Sequence, residues 1–324
     1  MSLRWGLLGA SGIAQQLIPA IREAGGSIEL VGVRDPASAR ARAFAQKWEI
    51  GRLGSYQDVI DSDVDAIYNP LTNDQHLPWS AATLRAGKHS LTEKPLTLNA
   101  DEARELADVA AGSSKLLLEA FAYRFTPQIQ ELLRLVRGGA VGEVRSVRGS
   151  FGFHLGDPDN FRWNPAQGGG ALYDVGCYPL DLTRLLLGMP RAVTCRTRLS
   201  ERGADVGFGG VLEYPGALAS FDGGFDWNEP HHSDVQIIGT QGVLTLDDPF
   251  LSPPQDVPLQ LNGQPHPVTP ANGFARMVEH FQRAALGQEA LLYTPQDSVQ
   301  GAHVLDAAFQ SAREGRQVVL DAGA

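Results

Sequence analysis

From Leu3 to about Tyr123, short apolar runs alternate with segments in which apolar residues recur at helical spacing. That alternation is the signature of a parallel sheet covered by helices on both faces. The runs predict strands over Arg4 to Leu8, Glu29 to Arg34, Ala66 to Pro70, Ser90 to Glu93 and Leu116 to Ala120. Helices are predicted between them at about Ile13 to Glu23, Ala37 to Trp48, His76 to Ala86 and Ala100 to Ala110. Asn99, before Ala-Asp-Glu, and Thr126, before Pro127 at a first helical position, have the chemistry of helix caps.

After a helix over Pro127 to Arg137 the pattern changes to strand alternation: Val144 to Phe153, Ala192 to Leu199, Val206 to Tyr214, Ala217 to Trp227, Val235 to Ile238 and Val243 to Leu246. Tyr214-Pro215-Gly216 and Gly239-Thr240-Gln241-Gly242 read as turns joining neighbouring strands. Helices interrupt this half at about Leu172 to Leu187, Gly273 to Leu286 and Gln296 to Arg313, and the Pro-rich stretch from Pro249 to Pro270 reads as a surface excursion. The expected architecture is α/β: a doubly wound Rossmann domain over residues 1–123, then an α+β domain with an open, largely antiparallel sheet over 124–324.

A chain of 324 residues with 43% apolar content is long enough to fill two cores. Its formal charge of -10 disfavours nonspecific binding to nucleic acid or anionic membrane. Cys177 and Cys195 have no metal-ligand spacing, so no metal site and a reducing compartment are expected. Met1 to Gly9 runs directly into a strand pattern with no apolar signal core, and no apolar run is long enough to span a membrane. Together these place the protein in the cytoplasm.

Gly9-Ala10-Ser11-Gly12-Ile13-Ala14 follows the first strand and opens the first helix, the context of a dinucleotide fingerprint, whose amides and helix N-terminus cradle a pyrophosphate. It departs from G-x-G-x-x-G with Ser11 at the second glycine position and Ala14 at the third. The second strand ends in Arg34 and Asp35, where an acid reads the ribose diol and an arginine a 2′-phosphate. Both are present, so the cofactor is NADP or NAD, with a slight lean to NADP; an ordinary exposed pair would read the same. Pro70-Leu71-Thr72-Asn73, running to His76, ends the next strand and lies over the same crevice, with Asn73 set for the ribose-nicotinamide end. A capped helix start shares that sequence.

Glu93-Lys94-Pro95 closes a further strand and puts a lysine where the crevice lies. A cation beside oxidised nicotinamide has its pKa lowered and lowers that of a neighbouring phenol. Far downstream, Gly168-Gly169-Gly170 leads into a helix on which Asp174, Tyr178 and Asp181, at i, i+4 and i+7, share one face. Two carboxylates and a phenol in a stripe are costly to bury without partners, and the glycine run points to close approach of another group.

In their order and separations, Gly9 to Ala14, Glu93-Lys94-Pro95 and Asp174 to Tyr178 resemble the glucose-fructose oxidoreductase, inositol dehydrogenase and rhizopine catabolism (Gfo/Idh/MocA) family over nearly the whole chain. Ile67 to Leu71 and Tyr178 look most like its D-xylose dehydrogenase and dimeric dihydrodiol dehydrogenase branch. The resemblance implies a Rossmann domain followed by a domain whose open sheet often mediates dimers or dimers of dimers. It also implies a lysine near the nicotinamide before a commonly cis proline bond, and cleft-lining residues matching Arg124 and Trp163.

The expected function is an NAD(P)-dependent dehydrogenase acting on a hydroxyl of a sugar, polyol or diol. Tyr178 takes the hydroxyl proton, Lys94 stabilises the phenolate, and Asp174 holds Lys94 or a substrate hydroxyl. Bringing a tyrosine from about 10 toward neutrality asks for roughly 4 kcal/mol. The alternative is a catalytically silent nucleotide sensor or co-repressor, which needs only the Rossmann half.

Overall fold

The computed structural model of the protein describes residues 2–227, 231–252, 254 and 258–320. The chain divides into two compact units, Met1–Ala122 with Asn272–Val299, and Tyr123–Ala271 with Gln300–Ala324.

In the first unit the elements run β1 (Arg4–Leu8), α1 (Ala14–Glu23), β2 (Ser27–Gly32), α2 (Ala39–Lys47), β3 (Leu53–Gly54), α3 (Tyr56–Asp61), β4 (Ala66–Asn69), α4 (His76–Arg85), β5 (His89–Thr92), α5 (Ala100–Ser113) and β6 (Leu117–Glu119). The strands pair in parallel in the order β3-β2-β1-β4-β5-β6. Strand order therefore reverses between β1 and β4, and in doubly wound sheets the ligand crevice opens at the carboxyl ends of the strands beside that point. Register aligns Asn69 with Thr92 and Thr92 with Glu119, so β4, β5 and β6 deliver their following loops side by side. The short β3 and α3 have no counterpart in the expectation; Ser55 and Asp58 form the capping box that starts α3.

Chain order puts the helix Gly273–Ala285 in the second half, whereas its contacts lie in the first unit. The Phe281 ring sits 5.5 Å from Trp5, Gln282 Oε1 accepts from the Leu3 N–H and Trp5 Nε1, and Gln282 Nε2 donates to Ala24 O. A strongly one-sided apolar stripe needs a partner, and α1 supplies it.

The second unit is built on a nine-stranded sheet. Before it comes α6 (Pro127–Arg137); then follow β7 (Val144–Gly152), a π-helical turn (Leu172–Gly176), α7 (Cys177–Leu187), β8 (Ala192–Leu199), β9 (Asp205–Tyr214), β10 (Ala217–Gly224), β11 (His232–Gly239), β12 (Val243–Asp247), β13 (Leu259–Leu261), β14 (Gln264–His266) and β15 (Val318–Val319). The order is β14-β13-β12-β11-β7-β10-β9-β8-β15, antiparallel throughout except for the β7–β10 pair. Alternate residues Val147, Phe151, Ala219, Phe221, Val235 and Ile237 are buried, and an added Cβ at Gly149 would come 2.9 Å from Pro179 of α7.

The stretch from Pro249 to Pro270 is not simply an excursion. Phe250 is 2% exposed, and β13 and β14 form a hairpin that extends the sheet beside β12. Its two-residue turn is Asn262-Gly263, both at positive φ, the dipeptide such turns require. Residues 253 and 255–257 of that stretch lie outside the described residues. Among the described residues no helix is long and apolar enough to cross a membrane, and no three His, Cys, Asp or Glu side chains gather as a metal-ligand set.

Candidate active site

At the carboxyl edge of the first sheet, Gly9 has φ +90°, and its N–H donates to Gly32 O at 2.7 Å. An added Cβ there would meet Leu71 at 3.0 Å, so the turn after β1 and the loop after β4 are in close approach. Gly12 faces open space, and α1 carries no acidic residue in its first turn. Ser11, the departure from the glycine pattern, is half-buried, and its Oγ accepts the Ala14 N–H at 3.2 Å, capping the helix that a glycine would leave to water or ligand. Ala10 and Ile13 are half-buried on the same turn and Ala14 is buried beneath it. Unhindered backbone at Gly12 and an N-terminus free of acid fit a dinucleotide pyrophosphate.

Arg34 and Asp35 are both exposed after β2. The Asp35 carboxylate accepts the Ala37 N–H at 2.9 Å and its carbonyl accepts from Ser38, so the acid is used to shape the turn into α2. The Arg34 charge reaches the half-buried Tyr56 phenol, which burial raises and Arg34 lowers.

Behind the crevice edge, His76 is fully buried, with Nδ1 2.8 Å from Pro95 O and Nε2 3.1 Å from Leu71 O. Burial holds its pKa below the ordinary value against the pull of both carbonyls. The neutral ring has one N–H, so it donates to one of these carbonyls and only packs against the other, filling the space between the Pro70-Leu71-Thr72 loop and the turn at Pro95. Asn73 is buried. Leu71 N–H donates to Asn69 Oδ1, and Thr72 Oγ1 donates to Asp74. Glu93 is buried, accepting Tyr68 Oη at 2.6 Å and the Lys94 N–H at 3.3 Å. Glu119 Oε1 accepts the Leu96 N–H at 2.8 Å. Lys94, half-buried, stands at the end of β5 between these braces, and the Lys94–Pro95 bond is cis.

In the second unit Asp174 lies on the π-helical turn and Tyr178 in the first turn of α7, so the segment that carries them is not one continuous α-helix. Both Asp174 oxygens are held by Arg162, Nε at 2.6 Å and Nη2 at 2.9 Å. Asp181, expected on the same face, instead accepts from Tyr123 Oη at 2.5 Å, Arg124 Nε at 2.8 Å and Nη2 at 2.6 Å, and Arg184 Nη2 at 3.2 Å. Burial alone pushes the Asp181 carboxyl up; Arg124 and Arg184 more than reverse it and hold it below the usual range. Arg124 is 1% exposed, the interior partner of that network. Tyr178 is half-buried, its ring 5.2 to 5.5 Å from those of Phe151, Tyr123 and Phe250. Trp163 Nε1 donates to Asp157 O, and its ring meets Phe225 edge-on at 6.0 Å.

Sequence reasoning passed over Arg162 and Asp205. An arginine twelve positions before its carboxylate has no periodic signal, and Asp205 opens a strand from which nothing in its neighbourhood singles it out.

The first half matches the model of an oxidoreductase family with an NAD-binding Rossmann fold over residues 3–121, and the second that of the GFO/IDH/MocA C-terminal domain over residues 129–245. D-xylose 1-dehydrogenase (NADP(+)) 2 of Haloferax volcanii is 36% identical over 330 residues, covering 98% of this chain and 100% of the relative. The chain belongs to the Gfo/Idh/MocA oxidoreductase family. Within the family, trans-1,2-dihydrobenzene-1,2-diol dehydrogenase of Mus musculus is 34% identical over 253 residues, 76% of this chain and 75% of the relative. A 3-ketoreductase from Actinomadura kijaniata, solved with NADP and TDP-benzene, superposes with a TM-score of 0.88 at 29% identity over 96% of this chain and 98% of that one. The branch expected from Ile67 to Leu71 and Tyr178 is the one these relatives represent, and the parallel sheet of the first unit is the NAD-binding domain of a Gfo/Idh/MocA oxidoreductase.

Proposed function

We propose that the protein is a dehydrogenase acting on a hydroxyl of a sugar, polyol or diol, with Lys94, Asp174 and Tyr178 as its catalytic residues. The nicotinamide, when bound, supplies hydride acceptance. Tyr178 takes the hydroxyl proton on its phenol oxygen, and its aromatic surround keeps water from competing for that proton. Lys94 stabilises the phenolate by its charge and orients the hydroxyl. Asp174, its oxygens oriented by Arg162, accepts from Lys94 or a second substrate hydroxyl. The observation that carries this reading is the bracing of Lys94 by His76, Glu93 and Glu119 at the carboxyl edge of a parallel sheet, next to the strand-order reversal.

The Gly9 to Ala14 turn takes the pyrophosphate, and the Pro70 to Asn73 loop with Glu93 flanks the nicotinamide end. Arg34 reads a 2′-phosphate while the Asp35 carboxylate is taken up by the Ala37 N–H in the turn before α2, which supports NADP over NAD. Arg124 and Trp163 serve from behind, Arg124 through Asp181. The substrate class follows relatives that act on D-xylose and on trans-dihydrodiols. The protein works in the cytoplasm as a homodimer joined through the open sheet face, where Leu218 (55% exposed) and Val211 (38%) stand on adjacent strands; Leu218→Asp then yields monomers in sedimentation analysis, and an unchanged sedimentation coefficient counts against that face.

The test is a panel of aldoses, polyols and trans-diols assayed by nicotinamide absorbance with NAD+ and NADP+ separately. Tyr178→Phe is expected to lower kcat by about 10²- to 10⁴-fold while NADP+ affinity stays within about twofold. Unaltered turnover in that variant removes Tyr178 from the mechanism.

A further inference from the structure

The loop before the π-helical turn is closed on a single buried carboxylate. Asp205, at the start of β9, is 6% exposed, and its Oδ2 accepts the Leu172 N–H at 2.6 Å. The Ala171 peptide lies next to that bond and, like Leu172, lowers the carboxyl's pKa. Gly170, at φ +124°, is pressed against it: a Cβ there would stand 2.0 Å from Asp205 Oδ1. The contact therefore requires glycine at 170 and an acceptor at 205. Gly169 is equally confined, with Arg162, Asn164 and Phe161 carbonyls 2.6 to 2.7 Å from an added Cβ. Immediately downstream of this clamp lie Asp174 on the π-turn and Tyr178 in the first turn of α7.

We propose that Asp205 is a positioning residue for the reaction: by holding the Leu172 N–H and seating Gly170 it fixes the start of the π-helical turn, and with it the directions of Asp174 and Tyr178. The proposal rests on the assignment of those two residues above. A helix start leaves N–H groups without intrahelical partners, and a π-turn has a register one residue longer than an α-helix. Anchoring its first amide from a neighbouring strand selects that register over the α-helical one. Burial pushes the Asp205 carboxyl up to about 6 while the neighbouring backbone N–H groups pull it down, so at pH 7.5 it is ionised and accepts the Leu172 N–H at Oδ2. On the neighbouring β8, the Cys195 thiol feels that charge and is itself pushed up to about 12, mainly by burial; Arg198 is paired with Asp226, and Asp174 on the π-turn with Arg162.

Asp205→Ala removes both acceptors, and Asp205→Asn keeps one carbonyl oxygen. At pH 7.5, on the panel substrate turned over fastest with NADP+, kcat is expected to fall about tenfold to a hundredfold in Asp205→Ala and less in Asp205→Asn, with KM and NADP+ affinity within about twofold. Hydrogen exchange at 168–178, measured without substrate, is expected to quicken about tenfold or more in Asp205→Ala. Faster exchange with kcat within about twofold of the parent overturns the positioning role, as does unchanged exchange. Should Tyr178→Phe leave turnover intact, the catalytic assignment fails; impaired Tyr178→Phe with unimpaired Asp205→Ala sinks this inference alone.

If Asp205→Ala does not fold, Asp205→Asn decides, since it keeps the size of the side chain and loses the charge on the acceptor. Exchange at 168–178 faster by about threefold or more, with kcat lowered by a similar factor, is expected, and either quantity unchanged overturns the proposal.

Discussion

In the first unit the loops after β4 and β5 are fixed by bonds from uncharged donors: the neutral His76 ring beside two carbonyls, Tyr68 on Glu93, the Leu96 N–H on Glu119, Asn69 on Ser80. In the second unit the corresponding work is done by ion pairs, with buried Arg124 and Arg184 on Asp181 and half-buried Arg162 on Asp174. The difference follows from topology. A parallel sheet ends its strands together, so backbone carbonyls of adjacent loops are already within reach of one imidazole. Around α7 the carboxylates are aimed by long side chains, Arg162 reaching Asp174 and Arg124 reaching Asp181 from outside the helix. The lesson is that the two halves fail differently: removing a neutral brace exposes one unsatisfied carbonyl, whereas removing one ion leaves its partner charged in the interior.

The sharpest way to break this comparison is Asp181→Ala. It leaves the Arg124 and Arg184 guanidinium groups, 1% and 5% exposed, without their carboxylate. The expected loss is about 3–5 kcal/mol in urea unfolding. A loss no larger than that from His76→Ala would erase the distinction. For His76→Ala itself about 1–3 kcal/mol is expected, together with weaker NADP+ binding, because the Leu71 and Pro95 loops lose the ring packed between them and one carbonyl loses its donor. Fluorescence titration of the cofactor reads the second effect, and unchanged affinity would confine His76 to stability. The smallest change in fold and the most selective in binding is Arg34→Ala. Its side chain is exposed, so the unfolding midpoint stays put. NADP+ affinity drops by about tenfold to a hundredfold and NAD+ affinity does not, and equal losses for both would take Arg34 off the 2′-phosphate.

Much of the first unit was legible because its strands are buried on both faces and its helices are strongly periodic. The expected Arg4 to Leu8 strand and the Ala192 to Leu199 strand agree with β1 and β8 residue for residue. The elements that escaped are instructive. β3 is two residues long, too short for any period, although the Ser55 to Asp58 box announced α3. The Asn262-Gly263 turn was present in the sequence but hidden inside a run of prolines. The stripe of Asp174, Tyr178 and Asp181 was read at 3.6 residues per turn, and no sequence feature marks the π-turn at Leu172–Gly176. Arg162 and Asp205 are paired with their partners only by the fold, one across a tight loop and the other from the start of β9 back to the π-turn.

The helix Gly273–Ala285 ties the beginning of the chain to a segment near its end. Gln282 completes the hydrogen bonding of Leu3 and Trp5, and Phe281 covers the Trp5 ring. During synthesis the nucleotide-binding half therefore emerges first yet cannot close at once, its opening strand waiting on residues made after strands β7 to β14 of the other unit. A fragment cut at Tyr123 would carry the glycine turn and Lys94 but present a bare tryptophan to water, so the smallest self-sufficient version of this half must be stitched from two pieces of the gene.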